Sequence, residues 1–229
     1  MSVVKMEKLF KYYHLGKLEV PALKDINLSF AEGDFASIAG PSGSGKTTLL
    51  NLIGCLDKPS KGKISIGNED VSHFNSNQLA DIRNYNIGFI FQTFNLIPVL
   101  TAYENVEFPL IIQGEVDKKV MREKVMNILK EMDIVDLWDR KPNEISGGQQ
   151  QRVAIARALI KRPKVILADE PTANLDSHIG EEILKLMYKM NQKHKVTFIF
   201  STHDPMVMHY AARLVKLHDG EVVSDEKKH

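Results

Sequence analysis

Residues 40–48 read Gly-Pro-Ser-Gly-Ser-Gly-Lys-Thr-Thr, which matches the pattern G-x-x-x-x-G-K-S/T. The apolar run 35–39 before it favours a buried strand, and residues 47–53 after it favour a helix. A strand, this loop and a helix form the setting in which the pattern binds nucleotide phosphates. The alternative is a Gly/Ser-rich turn before a capped helix, which requires the Lys-Thr pair and both flanking elements to coincide by chance. We therefore predict a phosphate-binding loop.

The residue types in this loop suit a nucleotide with a divalent cation. Glycine lets backbone N–H groups turn inward around a phosphate, and the helix N-terminus adds partial positive charge there. The Lys46 ammonium can reach the outer phosphates, and the Thr47 hydroxyl can ligate Mg²⁺. The residues predicted to bind ATP in this loop are Gly40, Ser42, Gly43, Ser44, Gly45, Lys46, Thr47 and Thr48.

Composition argues against several classes of protein. The 229 residues include 30 basic and 29 acidic side chains, which gives a net charge of +1. This balance gives no reason to predict a nucleic-acid partner, which would favour a basic face. Apolar runs such as 196–200 are much shorter than the roughly 20 residues of a membrane span. Residues 1–8 lack the apolar core of a signal peptide, so we expect a cytoplasmic protein. The single cysteine, Cys55, is interpreted as a small core residue.

Apolar periodicity predicts an α/β protein with a helical insertion. Residues 1–39 are predicted to be β-rich, because apolar and polar residues alternate over 26–30. The run 93–109 is broken by two prolines and is predicted to be neither a long strand nor an ordinary loop. The other predicted elements are strands at 63–66, 87–91, 165–168 and 196–200, helices at 78–84, 115–132 and 177–193, a hairpin at 214–223 and a solvated tail at 224–229.

Acidic residues follow one of the buried strands. Asp169 and Glu170 come directly after residues 165–168, at a strand end of the kind where ligands bind in open α/β sheets. The aspartate can hold Mg²⁺ beside the phosphate loop, and the glutamate can accept a proton from an attacking water. The alternative is a solvated strand edge, and the phosphate loop in the same chain favours the catalytic interpretation.

Two further strand ends carry polar residues. Gln92 follows the strand at 87–91 and His203 follows the strand at 196–200. Each has an ordinary alternative, a surface amide for the glutamine and a capping residue for the histidine. If the strand ends converge on the γ-phosphate, an amide or imidazole there can order water and metal, and we predict Gln92 as a ligand of both ATP and Mg²⁺.

A second glycine-rich turn opens a helix at Ser146-Gly147-Gly148-Gln149, and it is a second candidate anion cradle. The alternative is an N-capped helix with a flexible lead-in. One nucleotide needs only one phosphate loop, so a second cradle requires an explanation.

With these motifs in this order, the whole chain resembles the ATP-binding cassette (ABC) ATPases. The resemblance implies that Tyr13 stacks on adenine, although the adjacent Tyr12 leaves this assignment open. The corresponding motifs are Walker A at 40–48, the Q-loop at Gln92, the signature at 146–149, Walker B at 165–169, the catalytic glutamate at Glu170, the D-loop at Asp176 and the switch histidine at His203.

The resemblance implies a P-loop NTPase core with a mostly parallel sheet, an N-terminal antiparallel β part and an inserted helical subdomain. Residues 1–229 would form one nucleotide-binding domain, with its core at 1–92 and about 158–229 and its helical subdomain at about 93–157. ATP and Mg²⁺ are the implied ligands, with Thr47, Gln92 and Asp169 on the metal. In the family two cassettes pack head to tail, so we expect an ATP-dependent homodimer in which each signature covers the partner's ATP.

Within the family, the residues at 54–59, 89–92, 100–106 and 167–171 are similar to the MacB/LolD group. This likeness implies an ATPase that drives a membrane permease in export or lipoprotein release, from the cytoplasmic face of the membrane. The alternative is an FtsE-like ATPase that transmits force without transport. A DNA-repair cassette is disfavoured, because only 53 residues separate Gln92 from Ser146, too few for a long coiled coil. A binding module without turnover is disfavoured by Glu170 and His203.

Two further expectations concern the middle and the end of this pattern. Residues 94–109 are the candidate surface that grips the permease, and the alternative is a satellite core under the helical part. Asn174 stands where many family members have Gly or Ala, and we expect this difference to matter little because Asp176 is retained.

Overall fold

The computed structural model describes residues 2–16 and 18–228, which form two sheets and a set of packed helices. Two 3₁₀ turns, Val135–Leu137 and Pro142–Glu144, lie in the middle of the chain. The elements are β1 (Ser2–Leu15), β2 (Leu18–Ala31), β3 (Phe35–Ala39), α1 (Lys46–Ile53), β4 (Lys61–Ile66), β5 (Glu69–Asp70), α2 (Ser76–Asn86), β6 (Ile87–Ile90), α3 (Ala102–Ile112), α4 (Lys118–Glu131), α5 (Gly147–Leu159), β7 (Val165–Asp169), α6 (Ser177–His194), β8 (Thr197–Thr202), α7 (Pro205–Tyr210), β9 (Arg213–His218) and β10 (Glu221–Lys227).

The larger sheet positions the site. Its order is β10-β9-β3-β8-β7-β6, and β3 pairs in parallel with both β8 and β9, as β7 does with β6 and β8. Only β10 runs antiparallel, against β9. The carboxyl ends of β3, β8, β7 and β6 therefore meet at one edge, where ligands bind in sheets of this type. This arrangement confirms the predicted mostly parallel sheet.

The smaller sheet is antiparallel and has the order β2-β1-β4-β5. Ile26, Leu28 and Phe30 of β2 are buried while Asn27 and Ser29 are exposed, as expected when side chains alternate across a strand. These residues share one apolar cluster with α1 and with one face of the larger sheet. The predicted N-terminal antiparallel part is therefore confirmed.

Apolar residues cover both faces of the larger sheet. Along β7, Ile166 and Ala168 belong to one cluster and Val165 and Leu167 to the other, because successive side chains point to opposite faces. The first cluster also contains residues of α3, α4, α5 and α6. The helical insertion thus shares a continuous core with the sheet, while its division from the rest at about residues 93 and 157 stays a prediction.

The middle of the chain contains a helix that the sequence reading missed. Residues 93–109 were predicted to be neither a long strand nor an ordinary loop, and part of this run is helical: α3 covers 102–112 and includes Pro109. A capping box between Thr101 and Glu104 starts the helix, and Val106 and Leu110 are buried one turn apart. Apolar residues on nearly all sides of α3 hide its period. The next helix is shorter than predicted, since it begins at Lys118 after the Asp117 cap.

The C-terminal residues correct a second expectation. Residues 224–229 were predicted to be a solvated tail, but residues 224–227 continue β10 alongside β9. Residue 229 lies outside the described residues. Arg213 Nε and Nη2 donate to the two carboxylate oxygens of Asp225 at 2.7 and 2.6 Å, which fixes this edge. Cys55 is buried, as predicted. Of the helices in the described ranges, none combines the length and the apolar character needed to cross a bilayer.

Candidate functional site

The phosphate loop leaves the buried strand β3 and enters α1. Gly45 precedes the helix with φ 101°, and a Cβ there would lie 2.8 Å from the Ala22 carbonyl oxygen, so the position requires glycine. Lys46 Nζ donates to the carbonyl oxygens of Gly40 at 2.7 Å and Pro41 at 2.9 Å. The ammonium therefore lies against the loop in which it is predicted to bind the phosphates.

Several polar groups of the loop are free to receive a ligand. The Ser44 hydroxyl is buried and has no hydrogen-bond partner within residues 2–16 and 18–228, which costs about 1–3 kcal/mol unless a ligand oxygen completes it. Ser42, Gly43 and Thr47 are exposed at the surface of the loop. A glycine-rich turn with unpaired donors at a helix N-terminus fits a nucleotide phosphate.

Asp169 is the last residue of β7, two strands away from the phosphate loop. Its pKa is raised, mainly because burial penalises the charged form and further because of the charge on Glu170. The Ser201 side chain and the Lys46 ammonium act in the opposite direction. A partly desolvated carboxylate coupled to Lys46 suits a bound cation, so the site fits the predicted Mg²⁺.

Glu170 is held by two groups at the end of β8. Its Oε2 accepts from the Thr202 hydroxyl at 3.0 Å, and its Oε1 lies 2.6 Å from His203 Nδ1. Because the carboxylate accepts, Nδ1 is the donor in this contact. The backbone of Glu170 has φ 45°, a conformation that non-glycine residues seldom adopt. The structure therefore brings the predicted base and the predicted switch histidine into direct contact.

Gln92 lies just beyond β6 and is exposed. The strand ends at Ile90, one residue earlier than predicted, and a turn carries Gln92 past the strand end. The Gln92 carbonyl oxygen accepts from Asn174 Nδ2 at 2.8 Å. The carboxyl ends of β3, β6, β7 and β8 thus lie at one edge of the sheet, and Gln92 follows the outer strand β6.

The signature residues form an N-capped helix start. Ser146 Oγ accepts from the Gln149 N–H at 3.4 Å, and Gln149 Oε1 accepts from the Ser146 N–H at 2.9 Å. Ser146 is exposed, and a Cβ on Gly148 would lie 2.7 Å from Ile179 Cγ2, so this glycine permits close packing on α6. The predicted capped helix and the predicted anion cradle are compatible, because the cap leaves the helix N-terminus at the surface.

Asp176 caps α6, since its Oδ1 accepts from the N–H groups of His178 and Ile179 at 3.1 and 3.0 Å. It is exposed beside the signature helix, where Gly147 packs against Leu175. Its role in a dimer interface stays a prediction.

The two N-terminal tyrosines lie in different surroundings. Tyr13 is partly exposed, and its hydroxyl donates to Asp57 Oδ2 at 3.0 Å. Its pKa is raised, first by burial and also by Asp57, while the Thr48 hydroxyl of the phosphate loop acts against the rise. Tyr12 instead stacks on Phe10, with ring centroids 6.2 Å apart. The proximity to Thr48 favours Tyr13 over Tyr12 beside a nucleotide.

Three side chains near the site were missed by the sequence reading or given no role. Gln151 Nε2 donates to the Pro171 carbonyl at 2.6 Å, and Arg157 donates to the carbonyls of Phe94 and Asn95. The third is Asn174, which bonds the Gln92 carbonyl. Their donors bind backbone atoms far away in sequence, so no local pattern reveals these contacts. Asn174 carries one sequence signal, because it differs from the Gly or Ala of many family members.

A family model described as ABC transporter matches residues 23–173. The uncharacterized ABC transporter ATP-binding protein MJ0796 of Methanocaldococcus jannaschii is 47% identical over 98% of this chain and 97% of its own length. The ABC transporter ATP-binding protein YvrO of Bacillus subtilis is 49% identical over 97% of this chain and 96% of its own. The macrolide export ATP-binding/permease protein MacB of Syntrophobacter fumaroxidans is 45% identical, and the chain spans 31% of its length.

Solved structures agree with this assignment. A dimeric post-hydrolysis state of MJ0796 bound to ADP and Pi has a TM-score of 0.89 and 47% identity, and the match covers 99% of both chains. The structure of cbiO1 from Clostridium perfringens also has a TM-score of 0.89, at 32% identity, over 99% of this chain and 88% of the other. The chain belongs to the ABC transporter family, as a nucleotide-binding subunit that hydrolyses ATP.

Proposed function

We propose that the chain hydrolyses ATP at a site shared between two copies of itself and that it drives a membrane permease of the MacB/LolD type. The observation that carries this proposal is the arrangement of Glu170, which is fixed by Thr202 and His203 directly after Asp169. A carboxylate held by two donors, beside a partly buried carboxyl and a phosphate loop, is arranged for general-base chemistry.

In the proposed reaction, Glu170 accepts a proton from the water that attacks the γ-phosphate. The bond between the γ-phosphorus and the bridging oxygen breaks, and ADP keeps that oxygen. Lys46 moves from the Gly40 and Pro41 carbonyls to the phosphate oxygens, where its charge stabilises the transition state. His203 orients Glu170 through its Nδ1–H, and Nε2 can donate to a phosphate oxygen when that nitrogen carries a proton as well. Tyr13 stacks on the adenine.

Thr47, Gln92 and Asp169 are the residues that would hold Mg²⁺, since hydroxyl, amide and carboxylate oxygens suit this hard cation. When bound, the ion supplies positive charge beside the phosphate oxygens. The half-buried Asp169 carboxyl is the donor that would benefit most, because a cation lowers its raised pKa.

A second copy of the chain would explain why the start of the signature helix α5, at Ser146, is exposed. Ser146 and Gly147 lie at a free helix N-terminus that packs on the Asp176 loop of its own chain. In the proposed dimer, this N-terminus covers the ATP held by the partner's phosphate loop. The dimeric MJ0796 structures at 47% identity support this arrangement.

The proposed permease places the chain at the cytoplasmic face of a membrane. MacB, which is 45% identical to this chain where the two match, is named an ATP-binding/permease protein. This relative supports a permease partner for the chain. The balanced net charge of +1 supports the absence of a nucleic-acid partner.

Mixed dimers test whether the site is shared. In a Glu170→Gln background, Lys46→Ala damages the phosphate loop and Ser146→Arg puts bulk into the signature. If the site is shared, a mixed dimer contains one whole site, formed by Lys46 of one chain and Ser146 of the other. We expect about one trapped ATP per mixed dimer and almost none in either homodimer.

The exposed Ser76→Arg in place of Ser146→Arg is the matched control, since it adds the same charge to another helix start. Formation of the mixed dimer is measured separately, as retention of an untagged chain by a tagged partner. If mixed dimers form and trap no ATP, both motifs act within one chain and the shared site is refuted.

A further inference from the structure

The chain beyond Gln92 follows a strained path that we name the Gln92 loop, residues 91–97. Phe94 and Asn95 have φ values of 61° and 48°, in the left-handed region that non-glycine residues seldom adopt. Consecutive residues in this conformation persist only where the surroundings hold them. Within the loop, the Thr93 hydroxyl donates to Asn95 Oδ1 at 2.8 Å. Two side chains from outside the loop also bond its backbone carbonyl oxygens.

One restraint is Arg157 on α5, the helix that begins with the signature residues. Its Nη2 donates to the Phe94 carbonyl at 2.7 Å, and its Nη1 donates to the Asn95 carbonyl. Burial lowers the pKa of Arg157 to about 10, because the charged form loses solvation. Burying a cation is costly, so this side chain is placed where its forked donors hold the loop.

A second restraint is Asn174 on the D-loop, between Glu170 and Asp176. Its Nδ2 donates to the Gln92 carbonyl at 2.8 Å, although Asn174 is exposed. A hydrogen bond to the backbone of Gln92 fixes the point from which the Gln92 side chain leaves the loop. The contact gives Asn174 a partner that Gly or Ala at this position could not bond through a side chain.

The two restraints come from parts of the chain that pack together. A Cβ on Gly147, at the start of α5, would lie 3.5 Å from Leu175 and 3.9 Å from the Asn174 carbonyl oxygen. The signature helix and the D-loop therefore pack together, and both are bonded to the Gln92 loop. The acceptors are three backbone carbonyl oxygens within residues 92–95.

We propose that Arg157 and Asn174 are positioning residues, which hold the Gln92 loop so that the Gln92 amide can reach the metal and the nucleotide. The inference rests on the proposed role of Gln92 as a metal ligand. Because α5 and the D-loop would face the partner chain, the two side chains carry the state of the dimer to Gln92.

Two conservative variants test this role. Asn174→Asp keeps the shape but replaces the Nδ2 donor with an oxygen that repels the Gln92 carbonyl. Arg157→Lys keeps the charge but loses the forked pair of donors. In a Glu170→Gln background with ATP present, we measure Mn²⁺ affinity by electron paramagnetic resonance. We expect about five- to tenfold weaker Mn²⁺ binding for each variant, the usual effect of one or two lost hydrogen bonds. Amide hydrogen exchange at residues 92–96 should become faster.

A double-mutant cycle separates positioning from a general effect on the fold. Gln92→Ala removes the side chain that is positioned, so Asn174→Asp should weaken Mn²⁺ binding no further in that background. The exposed Asn143→Asp and Arg162→Lys are matched controls for the two chemical changes, and they should leave Mn²⁺ affinity and exchange at 92–96 unchanged.

Each outcome decides one question. If wild-type protein binds Mn²⁺ with ATP but Asn174→Asp and Arg157→Lys bind it equally well, the positioning role is overturned and the proposed ATPase site stands. An equal loss with and without the Gln92 side chain also overturns the positioning role. If Gln92→Ala itself leaves Mn²⁺ affinity unchanged, the proposed metal role of Gln92 fails, and the inference fails with it.

Discussion

Replacing Glu170 with glutamine should separate catalysis from stability. The change removes the base but keeps the size of the side chain and one acceptor oxygen. That oxygen can accept from His203 Nδ1, while the new amide can donate to the Thr202 hydroxyl, so both contacts survive in altered form. At most about 1 kcal/mol of folding stability is then lost, which corresponds to a shift of about 2–4 °C in melting temperature for a chain of this size.

The expected kinetic effect is much larger. Loss of a general base lowers turnover by roughly 10²- to 10⁴-fold, or about 3–5 kcal/mol in activation free energy. Turnover is measured as phosphate release at saturating ATP, and stability by thermal melting. The variant should still bind ATP and should accumulate as an ATP-bound dimer in size-exclusion chromatography.

The exposed Glu123→Gln on α4 is the matched control, because it makes the same chemical change away from the site. It should hydrolyse ATP like the wild type. Near wild-type turnover in Glu170→Gln would refute the role of Glu170 as the base. A loss of turnover that merely follows a large drop in melting temperature would show that Glu170 acts through folding.

Two further predictions concern the proposed permease surface and the C-terminal sheet edge. Leu96 packs against the apolar cluster that contains residues of α3, α4, α5 and α6, whereas Val99 is 71% exposed. Val99→Asp should therefore uncouple ATPase activity from transport without lowering the melting temperature. Leu96→Asp should lower the melting temperature. Equal melting losses in both variants would make this segment part of the core. The Arg213 hydrogen bond lowers the pKa of Asp225, so its stabilisation of about 1 kcal/mol is complete above the unfolded pKa and is lost as pH falls through the folded one. The melting difference between wild type and Asp225→Asn should therefore shrink from about pH 5 to pH 3; a difference independent of pH would exclude the ion pair as its source.

The site was predictable from sequence where chemistry depends on local order. Residues 40–48 contain every group of the phosphate loop in one stretch, so the pattern alone predicted its strand, turn and helix. Asp169 and His203 were recognised because each follows a short apolar run, and the carboxyl ends of parallel strands meet at one edge. The alternation over 26–30 likewise predicted the strand β2, because one face of that strand is buried.

Elements without a one-sided apolar pattern were predicted poorly. The helix α3 exposes Phe108, Ile111 and Ile112 as well as burying Val106, so its sequence shows no clear period. Residues 224–227 are polar and mostly exposed, and only pairing with β9 makes them a strand. In both cases the structure of the segment depends on a neighbouring element, and the local sequence contains no pattern that reveals this neighbour.

The sequence by itself determined the phosphate loop, the acidic strand end, the signature helix and the family, because each depends on a few adjacent residues whose chemistry requires that order. Only the tertiary structure decided that Glu170 contacts both Thr202 and His203, and that Arg157 and Asn174 hold the Gln92 loop. These contacts join residues 32 to 82 positions apart. A hydrogen bond requires its donor and acceptor to lie within roughly 3.2 Å of each other. Residues this far apart in sequence reach that distance only when the sheet and the helices fold together.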